Sequence, residues 1–245
     1  MKNSLKILIA AGVLLFGSLG AYTAGLRAEY ARGTYKDPLR NYNMLNFSNF
    51  NTIDVPAAGV MNVKVESGPF AVYVHNEDSA YVRVSQQGGR LTVALRFPDD
   101  KTHLAWREET EAVIIRCPRL DALTASTTYT VAGRPKIVWH SAHGTGGELL
   151  VQGFAQDSLR LTQNHTAHVV LAANRLGRLQ AVVGATPGSS AELELRADNR
   201  LNATSLRVAG RGKLVAHNVA LPALRWQLGD SARVELSGRS LMKLR

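Results

Sequence analysis

The chain holds one cysteine, Cys117, in 245 residues. No intramolecular disulfide can form, so the fold must rest on a hydrophobic core, which a chain of this length can bury. With no cysteine near the N-terminus, a bacterial lipoprotein anchor is excluded. Aromatic residues are scarce at 7%, so small and aliphatic side chains must fill most of the interior. Acids are in deficit: 29 Lys and Arg stand against 19 Asp and Glu, a net charge of +10. The bases are scattered, without a run and without interleaved aromatics, which argues against a nucleic-acid binder. A solvated, moderately basic surface is expected, drawn to anionic lipid or lipopolysaccharide if the domain lies outside the cytoplasmic membrane.

The signatures of catalysis are also missing. There is no Gly-x-Ser-x-Gly, phosphate loop or dinucleotide fingerprint. Gly210-Arg211-Gly212-Lys213 has no following helix and reads as a turn. Asp99 and Asp100 occupy a turn, and Glu108, Glu109 and Glu111 precede a strand. The acids of the second half (Glu192, Glu194, Asp198, Asp230, Glu235) fall singly, so no carboxylate pair for glycan cleavage is evident. Five of the seven histidines lie between His103 and His168, including the pairs His140/His143 and His165/His168. Three residues apart on a strand, side chains point to opposite faces, so neither pair chelates a metal unless a turn intervenes. No catalytic, cofactor or metal residue is therefore assigned. Trp106 and Trp139, beside irregular loops, are the candidates for an exposed contact. Trp226 alternates with Leu224 and Leu228 and is expected in the core. Cys117 alternates with Val113 and Ile115, the position of a buried structural thiol.

What is present begins with Lys2 and Lys6, followed by twenty uncharged residues, Ile7 to Leu26, and then Arg27. As a helix this run covers ~30 Å, about one hydrocarbon core. A basic start, an apolar centre and the small residues Gly17, Ser18, Gly20 and Ala21 equally suit a secretory signal. Cleavage after Gly20, Ala21 or Ala24 is compatible, but none gives a clean Ala-x-Ala, and the uncleaved anchor is favoured. Residues 1–26 are thus signal or anchor. Residues 27–49, with mixed charge, Gly33, Pro38 and four Asn, read as a tether, and 50–245 as the exported domain.

From Phe50 the dominant period is two: Val63/Val65, Val72/Val74, Val82/Val84, Leu91/Val93/Leu95 and Val113/Ile115. Such alternation marks strands with one buried face. Turn signals separate them at Ser67-Gly68-Pro69, Asn76-Glu77-Asp78, Gly88-Gly89 and Pro98-Asp99-Asp100. The second half repeats: units starting near Leu159, Leu179, Leu206 and Leu224 each combine an alternating strand, a turn and, in full copies, a second strand. A spacing of about twenty residues lies in the range of solenoid rungs. One unit cannot bury its own apolar face, but stacked units form a continuous core. The expected fold class is all-β, a parallel β-helix preceded by a hydrophobic helix. For Phe50 to Pro118 a β-sandwich or a separate cap stays open.

The steps Phe50-x-x-Ile53-x-Val55, Val63-x-Val65-x-x-Gly68, Gly89-Arg90-Leu91-x-Val93 and Val113-x-Ile115-x-Cys117-Pro118-x-Leu120-x-x-Leu123-x-x-Ser126 carry a resemblance. Over Phe50 to Leu236 the chain resembles the auto-transporter adhesin, head GIN domain family, a bacterial domain of unknown function of Bacteroidetes envelopes. The resemblance implies a right-handed parallel β-helix, export and membrane proximity. It brings no catalytic residues. The sequence departs from the family at Ser126-Thr127-Thr128, where Ser-Gly is usual, because Thr resists the positive φ that Gly allows. Pro135 to Gly147 reads as an insertion or irregular rung.

The resulting expectation is a non-enzymatic exported interaction or adhesion module on a rigid β-helix. It sits in the inner membrane with a periplasmic domain, or in the periplasm or at the cell surface if the signal is cleaved. Its partner is an envelope protein, a glycan or an anionic lipid surface, and its terminal rungs offer edges for self-association. Two alternatives stand beside it: an accessory subunit of a membrane assembly, and a glycan-active β-helix enzyme.

Overall fold

The computed structural model describes residues 2–33, 36–101, 110–139 and 147–241. It comprises two compact units, Met1–Tyr42 and Asn43–Arg245. The first contains one helix, α1 (Lys2–Arg32). Its stretch Leu5–Arg32 is long and apolar enough to cross a membrane, and none of it is buried. Its polar side chains turn back onto its own backbone: Ser18 Oγ donates to the Leu15 carbonyl (2.9 Å) and Thr23 Oγ1 to that of Gly20 (3.2 Å). The helix passes Leu26 by six residues, into the stretch read as a tether, and Arg32 there pairs with Glu29 (3.7 Å).

The second unit is mostly β, in two large open sheets, with strands numbered along the chain. Sheet I runs β1 (Tyr42–Leu45), β4 (Ala71–His75), β7 (Val113–Cys117), β3 (Val63–Ser67), β11 (Glu148–Gln152), β13 (His168–Ala172), β15 (Glu192–Leu195), β17 (Lys213–His217) and β19 (Arg233–Ser237). Sheet II runs β10 (Arg134–Ile137), β9 (Thr128–Val131), β6 (Arg90–Phe97), β2 (Thr52–Val55), β8 (Ala122–Ala125), β12 (Ala155–Gln163), β14 (Arg175–Val183), β16 (Arg200–Val208) and β18 (Leu224–Leu228), with β5 (Val82–Gln87) paired to β6. From β11 onward the chain alternates between the sheets, and each strand pairs in parallel with the strand two elements later.

In-register pairing sorts the alternating side chains into columns. On sheet I, Val151, Leu171, Leu195 and Ala216 form one inward column. On sheet II, Leu161, Ala181 and Leu206 form another and lead to Trp226. Both sheets contribute to one buried cluster, so their polar faces point away from each other. Phe50 and Phe154 are the largest side chains fully inside it.

The predicted alternation from Val63 to Cys117 matches β3 to β7, and Gly88-Gly89 joins the antiparallel pair β5 and β6. Phe50 to Pro118 supplies strands to both sheets: β2 pairs in parallel with β8, and β3 with β11. The order is not sequential, since β6 and β7 lie on the far sides of β2 and β3. The repeat boundary expected at Leu206 is corrected. The residue in register with Leu179 and Leu224 is Thr204. The connection between β14 and β15 takes residues 184–191, whereas 164–167 and 209–212 suffice before and after, so one repeat is longer. Thr204 is buried, and its hydroxyl has no hydrogen-bond partner among the described residues.

Ser126, Thr127 and Thr128 avoid positive φ. Thr127 is buried, and its Oγ1 accepts hydrogen bonds from the Thr166 amide (3.2 Å) and hydroxyl (2.9 Å). Gly59 makes room for it, because a Cβ there would strike the Thr127 side chain. The stretch from Pro135 begins inside β10, an edge strand closing a hairpin with β9 through Ala132 and Gly133, both at positive φ. An edge position tolerates Pro135, which has no N–H to donate.

Candidate binding faces

Of the two tryptophans singled out, Trp106 lies outside the described residues. Trp139 follows β10 and is 38% exposed. Its ring meets His165 edge-to-face, with centroids 4.7 Å apart, and a Cβ on Gly188 would stand 3.5 Å from it. Trp139 therefore packs over the turns before β13 and β15 while keeping part of its ring in solvent. His165 sits in one of those turns at φ 56°, and burial lowers its pKa below the usual histidine value. His168 stands on β13, 3.8 Å from Glu194. A turn does precede β13, and the two histidines have different neighbours, Trp139 for His165 and Glu194 for His168. Among the described residues no group of three or more His, Cys, Asp or Glu is placed to hold a metal. His140 and His143 lie outside the described residues, as do His103, Glu108 and Glu109.

The strongest feature is the distribution of charge over the two sheets. In β11, β13, β15, β17 and β19 of sheet I, Glu148, Glu192, Glu194 and Glu235 stand against Lys213 and Arg233. Parallel register places opposite charges on neighbouring strands, where Lys213 reaches Glu192 (3.4 Å) and Glu235 (3.1 Å); Arg196, just past β15, reaches Glu194 (3.4 Å) and Glu148 of β11 (3.8 Å). Further along the same sheet Glu66 takes Arg116 (2.6 Å) and Lys64 (3.1 Å). Burial alone would raise the Glu66 pKa, but hydrogen bonds from Arg116 and Lys64 outweigh it and hold the carboxyl below its ordinary value.

Sheet II is different. Its strands β12, β14, β16 and β18 carry Arg160, Arg175, Arg178, Arg200, Arg207 and Arg225 against one acid, Asp157. All six arginines are exposed, and among the described residues none forms a salt bridge. Arg175 and Arg200 stand directly beside each other in register, an arrangement that costs stability when nothing neutralises it. Arg160, Gln180, Ser205 and Arg225 form one outward row across four strands, and Thr162, Val182, Arg207 and Gln227 the next. Between the rows lies an open groove of ≈ 480 Å³, walled by Arg160, Arg207 and Arg225. A second hollow of ≈ 300 Å³, bounded by Arg178 and Arg225, adjoins it.

No patch is visible along the sequence, because these arginines are scattered between Arg160 and Arg225. Only the register of the repeats collects them. Aligning the repeats on Thr204 instead of Leu206 brings out the row.

These features define a mostly β, two-sheet protein with an N-terminal apolar helix and one basic sheet face. No protein-family model matches the chain, and no curated protein matches it. Among solved structures it is similar to an adhesin candidate from Bacteroides fragilis NCTC 9343, with 14% identity over 80% of this chain and 95% of that one and a TM-score of 0.46. It is also similar to an adhesin candidate from Parabacteroides merdae ATCC 43184, with 16% identity over 80% and 95% and a TM-score of 0.35. A lipid-binding-protein candidate from Parabacteroides distasonis ATCC 8503 shows 11% identity over 80% and 94% with a TM-score of 0.38. Head GIN domain membership, which the resemblance implied, has no matching family model.

Proposed function

We propose that the chain is a non-enzymatic envelope protein: α1 holds it in the inner membrane, and the exported β body serves as a rigid interaction module. The observation that carries this reading is α1 itself. An apolar surface as long as Leu5–Arg32, with none of it buried by its own chain, favours a lipid environment. The body is read as a right-handed parallel β-helix. In-register parallel ladders support this, with Leu159, Leu179, Thr204 and Leu224 recurring every 20, 25 and 20 residues. Handedness follows from the strong right-handed preference of crossovers between parallel strands. Stacked rungs give long, stiff polar faces suited to a macromolecular partner. Trp139, half in solvent beside the turns, is a secondary contact for such a partner, and Trp106 is retained as its companion.

The test places a cysteine at Ser79, in the exposed turn before β5, in cells expressing the full chain. A membrane-impermeant maleimide should label this cysteine from outside the inner membrane. The labelled chain should resist alkaline extraction and keep Met1. Labelling only after lysis would overturn the export reading. An exported chain with a new N-terminus near Ala21 would replace the anchor by a cleaved signal.

A further inference from the structure

Building on the anchored, exported reading, we infer that the arginine face of sheet II docks on an anionic phospholipid surface, laying the β body against the bilayer that holds α1. Three observations carry this. Charge is segregated: the acids of sheet I are paired with Lys213 and Arg196, while β12, β14, β16 and β18 of sheet II leave six exposed arginines against Asp157. The arginines are also fixed in a lattice. Strands lie about 4.8 Å apart, so Arg160 and Arg225, three strands apart in one row, span about 14 Å. Arg178 and Arg207 flank that row on the strands between. A broad field of guanidinium groups meets several phosphates at once, and each guanidinium can take phosphate oxygens in bidentate fashion. Finally, Arg175 beside Arg200 is a repulsion that an anionic surface removes.

The choice of membrane over a soluble polyanion rests on α1. A body tethered to a bilayer experiences a high effective concentration of its lipid, so modest attraction by each arginine suffices. The groove between the rows is walled by Arg160, Arg207 and Arg225. It offers headgroups depth between guanidinium groups.

The experiment reconstitutes the full chain, through α1, into vesicles of phosphatidylcholine alone or with phosphatidylglycerol. A fluorophore is placed on Gln227→Cys of sheet II or, as a control, on His217→Cys of sheet I. Both positions are exposed, and Cys117 is buried. A quencher attached to the lipid headgroups reads the approach of each face. Co-flotation with both vesicle types reports the anchor independently.

The expected result is quenching at Gln227→Cys in phosphatidylglycerol vesicles only, lost at high salt. It should weaken about fivefold for each arginine neutralised in the series Arg160→Gln, Arg178→Gln, Arg207→Gln and Arg225→Gln. Circular dichroism should be unchanged across the series. Equal quenching of the two faces overturns the proposal, as does quenching that persists in neutral vesicles. So does binding of polyphosphate to sheet II with no quenching in phosphatidylglycerol vesicles, which would assign the face to soluble polyanions. Failure of co-flotation in both vesicle types would instead strike at the anchor. Co-flotation without contact of sheet II rejects the docking face alone.

Discussion

Cys117 shows how far one side chain can be read from its neighbours. Alternation with Val113 and Ile115 placed it inward, and it is fully buried at the end of β7. Desolvation pushes its thiol up from 9.0 to about 12, only partly opposed by a backbone hydrogen bond from Arg119. The folded state thus holds the proton more tightly than the unfolded chain. Its contribution is intact below the unfolded value and is lost as pH rises from about 9 to about 12. Stability should fall with pH across that window, and the fall should be shallower in Cys117→Ala. Denaturant titrations at a series of alkaline pH values check this; parallel slopes for the two proteins would refute it. Thr204 marks the opposite case. A threonine aligned with leucines looks like a misread repeat, and only the register shows it standing in the inward column.

At the scale of elements, strand identity was legible because a half-buried strand must alternate. The hairpin of β5 and β6 was legible because two glycines interrupt that alternation. The swap of β6 and β7 to the outer side of β2 and β3 left no local trace, since pairing order is decided by contacts distant in sequence. The corners were equally silent, although one carries much of the structure. Between β13 and β14 the chain turns in two residues, Ala173 at φ 54° and Asn174. The buried Asn174 side chain accepts from the Phe154 amide (3.0 Å) and donates to the Val151 carbonyl (3.0 Å). Just before β16, Asn199 accepts from the Asn174 amide (3.1 Å) and donates to the Leu171 carbonyl (2.6 Å). The two asparagines thereby tie three successive turns of chain together. Asn174→Ala strands a buried donor and a buried acceptor and should cost about 2–4 kcal/mol. Urea unfolding followed by far-ultraviolet circular dichroism measures it, and a loss under about 0.5 kcal/mol would show that water replaces the side chain.

For the whole molecule, charge and apolar surface are distributed along different directions. Charge divides the two sheets, whereas apolar exposure marks their last strands. Inward residues of the penultimate pair β16 and β17, such as Leu206, Leu214 and Ala216, are buried. Their successors Leu224, Trp226, Val234 and Leu236 in β18 and β19 are only partly covered, and Trp226, expected in the core, reaches it from one side. Ser240, in the turn Gly238–Leu241, closes over β17 by donating to the Val219 carbonyl (2.9 Å). Leu241 is exposed, and residues 242–245 lie outside the described residues. Among the described strands β18 and β19 each pair on one side only. Open edges beside apolar side chains favour strand addition by a second copy. The purified full chain in detergent should therefore form a dimer as its concentration rises. An inward charge guards an edge, so Val234→Lys should return the protein to monomer while leaving its circular dichroism intact. Sedimentation velocity over a concentration series separates the cases. Association that survives Val234→Lys would move the contact away from β18 and β19, to α1 for example, and a strict monomer at every concentration would mean that the end is closed.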